Sequence, residues 1–581
     1  MVKGADERSQ TWKHLLVLGG LLLGFGPRED ERLPPSLRHS LEKGLIQAAN
    51  VALREVREGE EFGAHTVAFA LNRSFPLLSD WERAQLDYEL LLPVLVGSAF
   101  FSSDGLQSAY FLASIDLDLT QTPEGKIHWS AQSTSTHQLD RILSRPLVSS
   151  LGALSRLISH AVENVRDPWL IQTMIEDISS FARTLFTQWR QSRLSAVDTP
   201  TEKETFTQET LVNTTPKFWK LLRSTLFAIV IVLRGALGRL LSDSVLSSDA
   251  IAPVIATQTL NALRHVYFIS TRLGTDSFSQ YTFVSLIAID ILSKYPMQAS
   301  TFLQSIRPSS IGSIPESPLE RTMDLYFLNT AEHFTLILPP HLNEDLLVAA
   351  ASPYLAAPLG ENPHLLPIFE AAHSVMLAVL SAPQSADLTA KHLPFYVDAL
   401  FRVFPANLSP RQFRLAFKTL LRVLAPPSVL TAMQPDLSAV LLELLHHRAK
   451  TSAPTTPLDM NRYPPAVGGQ ADAKQQALSE QAALILTLMD SLPYLSLQLL
   501  EEWLPLAAEL VHCVPDPKMR EVCKQRFWEV LVNGEMDPER SQVAVVWWGT
   551  RGGREAVLFG PQAQEEMMSG ALRREGTESK L

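Results

Sequence analysis

Two pairs of residues have the types and spacing that could hold a metal ion. Asp116 and Asp118 alternate in a stretch with a strand-like pattern, so both carboxylates would lie on one face and could bind a cation. His446 and His447 are adjacent near the end of a predicted helix. Neither pair has further convergent ligands. We therefore expect a solvated strand face and a partner for the helix dipole, and predict no metal site and no cofactor.

Catalytic motifs are missing from the sequence. The chain has no G-x-S-x-G elbow, no Walker phosphate loop, no G-x-G-x-x-G and no H-E-x-x-H. The run WWGTRGGR, from Trp547 to Arg554, could form a backbone nest for an anion. Core tryptophans followed by a glycine that ends a helix are the favoured interpretation. The sequence predicts no catalytic residue, and it is better explained by a binding scaffold than by an enzyme.

The last three residues, Ser579, Lys580 and Leu581, have the form of a C-terminal signal for import into peroxisomes. A receptor pocket could hold the terminal carboxylate with amide donors, bury the leucine, and select the small serine and the cationic lysine. The polar, glycine-containing residues before the tripeptide predict a flexible tail. The alternative is an ordinary chain end without a targeting role.

A second candidate site is a very apolar predicted helix within 217–241. Basic residues and a tryptophan could place this helix on an anionic bilayer surface or against a partner. The residues are Lys217, Trp219, Lys220, Arg223, Arg234 and Arg239. The alternative is a core helix whose basic side chains extend to solvent. Its strictly apolar run, 225–233, is about half of the ~20 residues that a membrane span needs, so we predict no transmembrane helix.

Composition limits the partners of this 581-residue chain. Its net charge is -11, with 50 basic and 61 acidic residues, which argues against nucleic acid as the main partner. Hydrophobic residues make up 46% of the chain, so extensive burial is expected. Cys513 and Cys523 have neither a zinc spacing nor a disulfide framework, and they suit synthesis in a reducing compartment.

Helix start signals recur along the chain. Ser409 and Gln412 form a capping box around Pro410, and Ser317 and Asp537 each precede a proline at a first helical position. These signals predict an all-α fold, an irregular α-solenoid or stacked helical bundles of the ARM/HEAT kind. One small β-hairpin is predicted near 114–131, around a Pro-Glu-Gly turn.

Shifts in composition predict seven segments. Thr-rich or Pro-rich stretches mark the linkers, and apolar periodic stretches mark the helical parts. The segments are an N-terminal segment 1–36 that reads like the interior of a domain, a helical subdomain 37–197, a linker 198–215, a helical subdomain 216–450, a flexible linker 451–478, a C-terminal helical subdomain 479–560 and a flexible tail 561–581.

Four stretches resemble the fungal peroxin-8 family of peroxisome-biogenesis proteins. They read FPLLSDWERAQLDYELLLPVL from Phe75, FFSSDGLQSAYFL from Phe100, SRPLVSSLGALSRLISHAVENVRDPW from Ser144 and FWEVLVNGEMDPERSQVAVVWWGTRGGREAVL from Phe527. None of them is a mechanistic motif. The terminal S-K-L completes the resemblance.

The resemblance implies a helical protein without catalytic residues, attached peripherally to the lumenal face of the peroxisomal membrane. It implies a role in matrix-protein import, in which the protein links docking and RING-finger peroxins and engages the cargo receptor that reads S-K-L termini. Family members often begin with more chain and a second targeting signal, so the start of this chain departs from the pattern. Two alternatives stay open: a peroxisomal matrix enzyme of unrecognised class, and a cytosolic helical adaptor with a coincidental S-K-L end.

Overall fold

A computed structural model describes residues 13–27, 33–57, 61–273, 278–358, 363–458 and 478–560. Helices account for nearly all regular structure in these ranges, so the predicted all-α class of stacked helices is confirmed. The chain divides into two compact units, Met1–Thr330 and Ala331–Leu581.

The first unit contains helices joined by short turns. In chain order they are α1 Lys13–Phe25, α2 Pro35–Arg57, α3 Glu61–Ser74, α4 Asp80–Arg83, α5 Tyr88–Val96, α6 Ile115–Asp118, α7 Thr134–Ser144, α8 Pro146–Ser149, α9 Leu151–Asn164, α10 Pro168–Gln191, α11 Glu202–Thr205, α12 Thr215–Ser242, α13 Ala252–Ser270, α14 Ser279–Leu292, α15 Pro296–Ser305 and α16 Pro318–Ala331.

Helix α12 is the centre of the first unit. It packs against α9 along most of its length and also against α13 and α14. Gly235 makes the approach to α9 possible, because a Cβ atom there would lie 2.4 Å from Ser159 Oγ. Fourteen of its residues are buried, and most of them are Leu, Ile, Val or Ala. Each is withdrawn from water by a neighbouring helix, which is the main stabilising term for such a bundle.

The predicted hairpin is present and short. Strands β1 Leu119–Gln121 and β2 Ile127–Trp129 pair antiparallel, with Thr120 opposite His128. Trp129 is 1% exposed, and its indole N–H donates to Ser135 Oγ at 2.9 Å. The hairpin therefore presents one face to the helical core.

The segment 198–215, predicted to be a linker, alternates exposed residues with residues that are buried in the first unit. It forms short helical turns that include α11, and Phe206 is 4% exposed. Asp198 accepts from Arg321 Nη2 at 2.5 Å, and the Trp129 N–H donates to Thr210 Oγ1 at 2.8 Å. The Thr-rich composition suggested solvent exposure, but the hydroxyls of Thr207, Thr210 and Thr214 are hydrogen-bonded within the fold.

The second unit has the same construction. Its helices are α17 Pro340–Leu342, α18 Ala349–Ala356, α19 Leu366–Ser381, α20 Ala386–Val403, α21 Pro410–Val423, α22 Val429–Met433, α23 Leu437–Thr451, α24 Glu480–Ser491, α25 Leu497–Cys513, α26 Pro517–Val532, α27 Pro538–Thr550 and α28 Gly553–Phe559.

Helices α21 and α24 carry the core of the second unit. The predicted capping box is confirmed, since Ser409 Oγ accepts from Gln412 N at 3.2 Å and Gln412 Oε1 accepts from Ser409 N at 2.9 Å. Helix α24 is buried on every side, and it packs against α21, α23 and α26. Its Asp490 is paired with Arg414 and Arg526, each at 2.7 Å. The buried carboxylate is therefore neutralised by neighbouring helices.

Candidate functional site

The first predicted site, Ser579, Lys580 and Leu581, lies outside the described residues, as does the whole tail 561–581. The import signal therefore stays a prediction from sequence. The second predicted site, on α12, can be followed residue by residue.

Helix α12 is longer than its strictly apolar run indicated. With the turn that precedes it, the helix covers Thr210–Ser242, and by length and composition alone it could cross a bilayer. A bent pair, Leu366–Ser381 with Pro383–Val403, passes the same test at an angle of 86°. The apolar run 225–233 is shorter than the helix because the helix continues past Arg223 and Arg234, which bound the run. However, 67% of the most apolar window of Thr210–Ser242 is buried among other helices, as in the core helix of a bundle.

Two of the basic residues on α12 are engaged inside the first unit. Lys217 Nζ lies 2.8 Å from Asp140 Oδ2. Arg239 donates through Nη1 to the backbone oxygen of Glu163 at 3.1 Å and through Nη2 to Asp243 Oδ2 at 2.9 Å. The pKa of Asp243 is lowered despite its burial, because backbone N–H groups and Arg239 donate to it. These contacts tie the two ends of α12 to α7 and α9.

Trp219 belongs to an aromatic cluster. Its ring lies 5.6 Å from that of Trp189 on α10, which in turn stacks on Phe268 of α13 at 4.9 Å and 10°. The guanidinium of Arg272 lies 3.9 Å from the centre of the Trp219 ring and also pairs with Glu202. Burial lowers the pKa of Arg272, and the Glu202 carboxylate acts in the opposite direction. The structure therefore gives Trp219 a packing role.

The other three basic residues of the predicted set, Lys220, Arg223 and Arg234, are exposed. They follow one stripe of α12 at helical spacing. The Arg234 guanidinium lies 5.9 Å from the centre of the Phe283 ring on α14. The proposed membrane or partner contact of α12 thus depends on this exposed stripe.

A groove of about 460 Å³ lies beside the C-terminal half of this stripe. It runs between α9, α12 and α14. Its lining combines charged, apolar and small residues: Arg156, Ser159, His160, Glu163, Ile231, Arg234, Gly235, Gly238 and Phe283. Phe283 is 48% exposed and gives the groove an aromatic surface. The geometry can accept a ligand that has both an anionic and an apolar part.

The histidine at the edge of the groove is held in its neutral form. His160 Nε2 lies 3.2 Å from the Tyr88 hydroxyl, and its ring contacts Phe75 at 5.0 Å. Burial lowers the pKa of His160, although Glu163 acts in the opposite direction. Burial also raises the pKa of Tyr88 to about 12. Neither group adds charge to the groove near neutral pH, so Arg156, Arg234 and Glu163 set its electrostatics.

The expectation of a solvated strand face at Asp116 and Asp118 was wrong. Both residues lie on α6, just before β1. Asp116 Oδ1 accepts from the Ser192 hydroxyl at 2.8 Å, and Asp118 Oδ2 accepts from the Ser135 N–H at 2.7 Å. Hydrogen bonds from the side chain of Ser135 and, second, from its backbone N–H lower the pKa of Asp118. Local hydrogen bonding to serines favoured a helical turn over a strand.

The other candidates from the sequence, His446, Gly552 and Cys523, contribute to packing or to a helix end. His446 packs edge-on against Trp503 at 5.6 Å, and burial lowers its pKa. Gly552 adopts φ 72° between α27 and α28, as expected for a glycine that ends a helix. Burial raises the pKa of the Cys523 thiol to about 12. Across the described residues, no three His, Cys, Asp or Glu side chains are grouped as metal ligands would be.

Sequence reasoning missed the groove. Arg156 and Phe283 lie far from α12 in sequence, and no local motif marks them. One signal was available: Gly235 and Gly238 interrupt an otherwise apolar helix, and isolated glycines in a helix often mark a close approach. Gly235 marks the close approach of α12 to Ser159 on α9, whereas a Cβ atom at Gly238 would meet open space.

Four family models match the chain. They are described as Peroxin 8 protein-like, N-terminal domain, over residues 1–83; PEX8 helical domain, over 130–280; PEX8 central TPR-like domain, over 299–381; and PEX8 C-terminal domain, over 388–556. The second of these models includes α9 and α12 and ends just before Phe283.

Similar proteins come from yeasts. The chain is 23% identical to Peroxisomal membrane protein PEX17 of Yarrowia lipolytica, over 94% of this chain and 81% of that protein. It is 22% identical to Peroxisomal biogenesis factor 8 of Komagataella phaffii, over 93% and 78% respectively. Among solved structures, importin beta aligns with a TM-score of 0.27 at 11% identity over 96% of this chain and 84% of that chain. The karyopherin Kap121p bound to Ste12p aligns with a TM-score of 0.26 at 12% identity, over 100% and 72%.

Proposed function

Because this chain belongs to the peroxin 8 family, we propose that it acts in peroxisome biogenesis as a non-enzymatic scaffold for the import of matrix proteins. The observation that carries the proposal is the match of the four family models along most of the chain. The names of the similar proteins, a peroxisomal biogenesis factor and a peroxisomal membrane protein, agree with it.

In this role the chain would link docking and RING-finger peroxins and engage the receptor that reads S-K-L termini. Stacked helices expose long lateral surfaces, which suit the binding of several partners at once. The chain's own terminus, Ser579, Lys580 and Leu581, has the form that such a receptor recognises. The terminus would therefore act first as an address and could be bound again inside the organelle.

The place of action would be the lumenal face of the peroxisomal membrane, with peripheral attachment. Attachment would come from partner proteins and from Lys220 and Arg223, the exposed basic residues in the N-terminal half of α12. Basic residues near anionic lipid contribute about 1 kcal/mol each. Alkaline carbonate would then release the protein from peroxisomal membranes, and retention in the carbonate pellet would contradict peripheral attachment.

The test is a fungal strain that lacks this chain. We expect a fluorescent protein ending in S-K-L to stay in the cytosol of that strain, and docking and RING-finger peroxins to co-purify less than in the parent strain. Normal import would contradict the role. A soluble matrix pool of the chain together with normal import would favour the alternative of a matrix enzyme.

A further inference from the structure

We propose that the groove between α9, α12 and α14 binds an acidic segment of a partner protein that also carries a large apolar side chain. The site is separate from the S-K-L terminus, and the inference does not depend on the proposed role in import.

The first argument is charge. Arg156 and Arg234 both line the groove and are exposed, and neither has an ion-pair partner among the described residues. On the same helix Lys217 and Arg239 are each paired with an aspartate. Glu163 is the acidic residue in the lining. Two guanidinium groups against one carboxylate leave the groove positive on a chain of net charge -11, which favours an anionic ligand.

The second argument is the geometry of Arg234. Its guanidinium lies over the Phe283 ring at 5.9 Å, so the aromatic ring contacts the guanidinium rather than a competing carboxylate. A guanidinium that stacks on an aromatic ring keeps N–H donors for a carboxylate, which it can bind through two parallel hydrogen bonds. The N–H donors of Arg234 are therefore available to a ligand beside the Phe283 ring.

The third argument is the apolar surface. Phe283 is 48% exposed and Leu286, one turn further along α14, is 40% exposed. Ile231 and the open space at Gly238 form the α12 side of the groove. A volume of about 460 Å³ fits a few side chains, not a folded domain. Because the exposed apolar line continues to Leu286, outside the lining of the groove, a peptide segment suits the site better than a small molecule.

A random 15-residue phage-displayed peptide library, selected on the immobilised full chain, tests the inference. We expect selected peptides to be rich in Asp and Glu and to contain a large apolar residue. Their affinity, measured by fluorescence anisotropy, should fall about tenfold or more in the double variant Arg156→Glu, Arg234→Glu, because two attractive contacts become repulsive. The matched control is Arg411→Glu with Arg422→Glu, which makes the same change of charge on exposed positions of α21 and should bind normally.

A second variant keeps the inference open to contradiction if the double variant does not fold. Gly238→Glu places a carboxylate in the groove where a Cβ atom meets open space, one turn from Arg234. This variant should fold normally, as judged by far-UV circular dichroism. It should lose peptide binding because the new carboxylate pairs with Arg234 in place of the carboxylate of the peptide.

Three results would overturn the inference. One is a failure to select any acidic peptide, and another is unchanged affinity in both groove variants. The third concerns lipid. If the natural chain binds vesicles with 30% phosphatidylserine, both groove variants fail to bind them, and no peptide binds, the groove is a site for anionic lipid. None of these outcomes depends on whether the fungal strain imports matrix proteins normally.

Discussion

The aromatic cluster around α12 and the aromatic surface of α26 and α27 use tryptophan in opposite ways. In the cluster, Trp189 is 4% exposed and stacks on Phe268. On the surface, Trp528 is 48% exposed and lies 5.2 Å from Trp548, with Val545 beside them on α27 at 65% exposed. The first pair is covered by a neighbouring helix, whereas the described residues leave the second pair open on one side.

This difference shows what a tryptophan in the sequence can and cannot indicate. Trp219, flanked by lysines, suggested a residue at a membrane surface, but it packs against the Trp189 ring of α10 and the Arg272 guanidinium that follows α13. Trp547 and Trp548 suggested core positions, and only Trp547 is buried, at 6% exposed. The burial of each ring is decided by helices that are distant in sequence.

The largest expected effect comes from removing a covered ring. Trp189→Ala should lower the free energy of unfolding of the first unit by about 3–5 kcal/mol, because it removes a buried ring and leaves a cavity. Hydrogen exchange measured by mass spectrometry on the full chain should show faster exchange in α10, α12 and α13. Trp528→Ala is the matched control and should change stability by about 0.5 kcal/mol or less. Equal effects of the two substitutions would show that both regions are covered.

Acidification should also weaken the covered region. His265 lies on α13 with its ring 5.4 Å from that of Phe186 on α10. Burial, with smaller contributions from Arg264 and Arg183, lowers its pKa to about 4, against about 6.5 in an unfolded chain. Between these values the unfolded chain binds the proton and the folded chain does not, so stability falls as the pH falls from about 6.5 to 4.

The variant His265→Gln isolates this contribution. Glutamine does not titrate in this range. The free energy of unfolding of the first unit, measured by urea titration, should therefore change less between pH 6.5 and 4 than in the natural chain, by on the order of 2–3 kcal/mol. Parallel pH profiles for the variant and the natural chain would show that His265 does not contribute.

Two glycines on α12 allow a comparison within one helical turn. Gly235→Ala should destabilise the first unit by about 1–3 kcal/mol, because its Cβ atom would lie 2.4 Å from Ser159 Oγ. Gly238→Ala should stabilise it by about 0.5–1 kcal/mol, since the added methyl group meets open space and alanine favours a helix. Thermal melts give the sign of each change. Two changes of the same sign would contradict the close approach of α9 to α12.

The smallest effect is expected on the open surface. Substitution of Trp528 and Trp548 by phenylalanine should leave stability within about 0.5 kcal/mol and should reduce the fraction of fluorescence that acrylamide quenches. Trp189→Phe removes a buried and poorly quenched tryptophan, so it should leave that fraction the same or slightly higher. If Trp189→Phe lowered the quenched fraction more than substitution of Trp528 and Trp548, Trp189 would be the more exposed tryptophan, and the comparison would be wrong.

Much of the fold could be predicted because its signals are local. The capping box at Ser409 and the helix starts at Ser317 and Asp537 depend on residues within one turn, and α21, α16 and α27 begin there. The environment of Asp116 and Asp118 could not be predicted from nearby residues, because their partners, Ser192 and Ser135, are distant in sequence or follow a turn. The same holds for the segment 198–215, whose buried residues contact parts of the chain that are distant in sequence.

Less of the candidate site could be predicted. The set on α12 was found from composition, yet the structure divides it into paired, packed and exposed residues. That division depends on Asp140 and Arg272, which tertiary packing brings to α12, and on Asp243, which lies one turn after Arg239. The groove depends on Arg156 and Phe283 from two other helices, and no pattern along the chain brings these residues together.

The hydrogen bonds between the hairpin and the segment 198–215 have a consequence for synthesis of the chain. The Trp129 N–H donates to Thr210 across 81 positions, and His128 Nδ1 contacts Thr207 Oγ1 across 79. At roughly 5–20 residues per second, translation needs roughly 4–16 s to supply these partners. During that interval the hairpin cannot make these two hydrogen bonds, so its native packing is completed only after residues 207–210 have been synthesised.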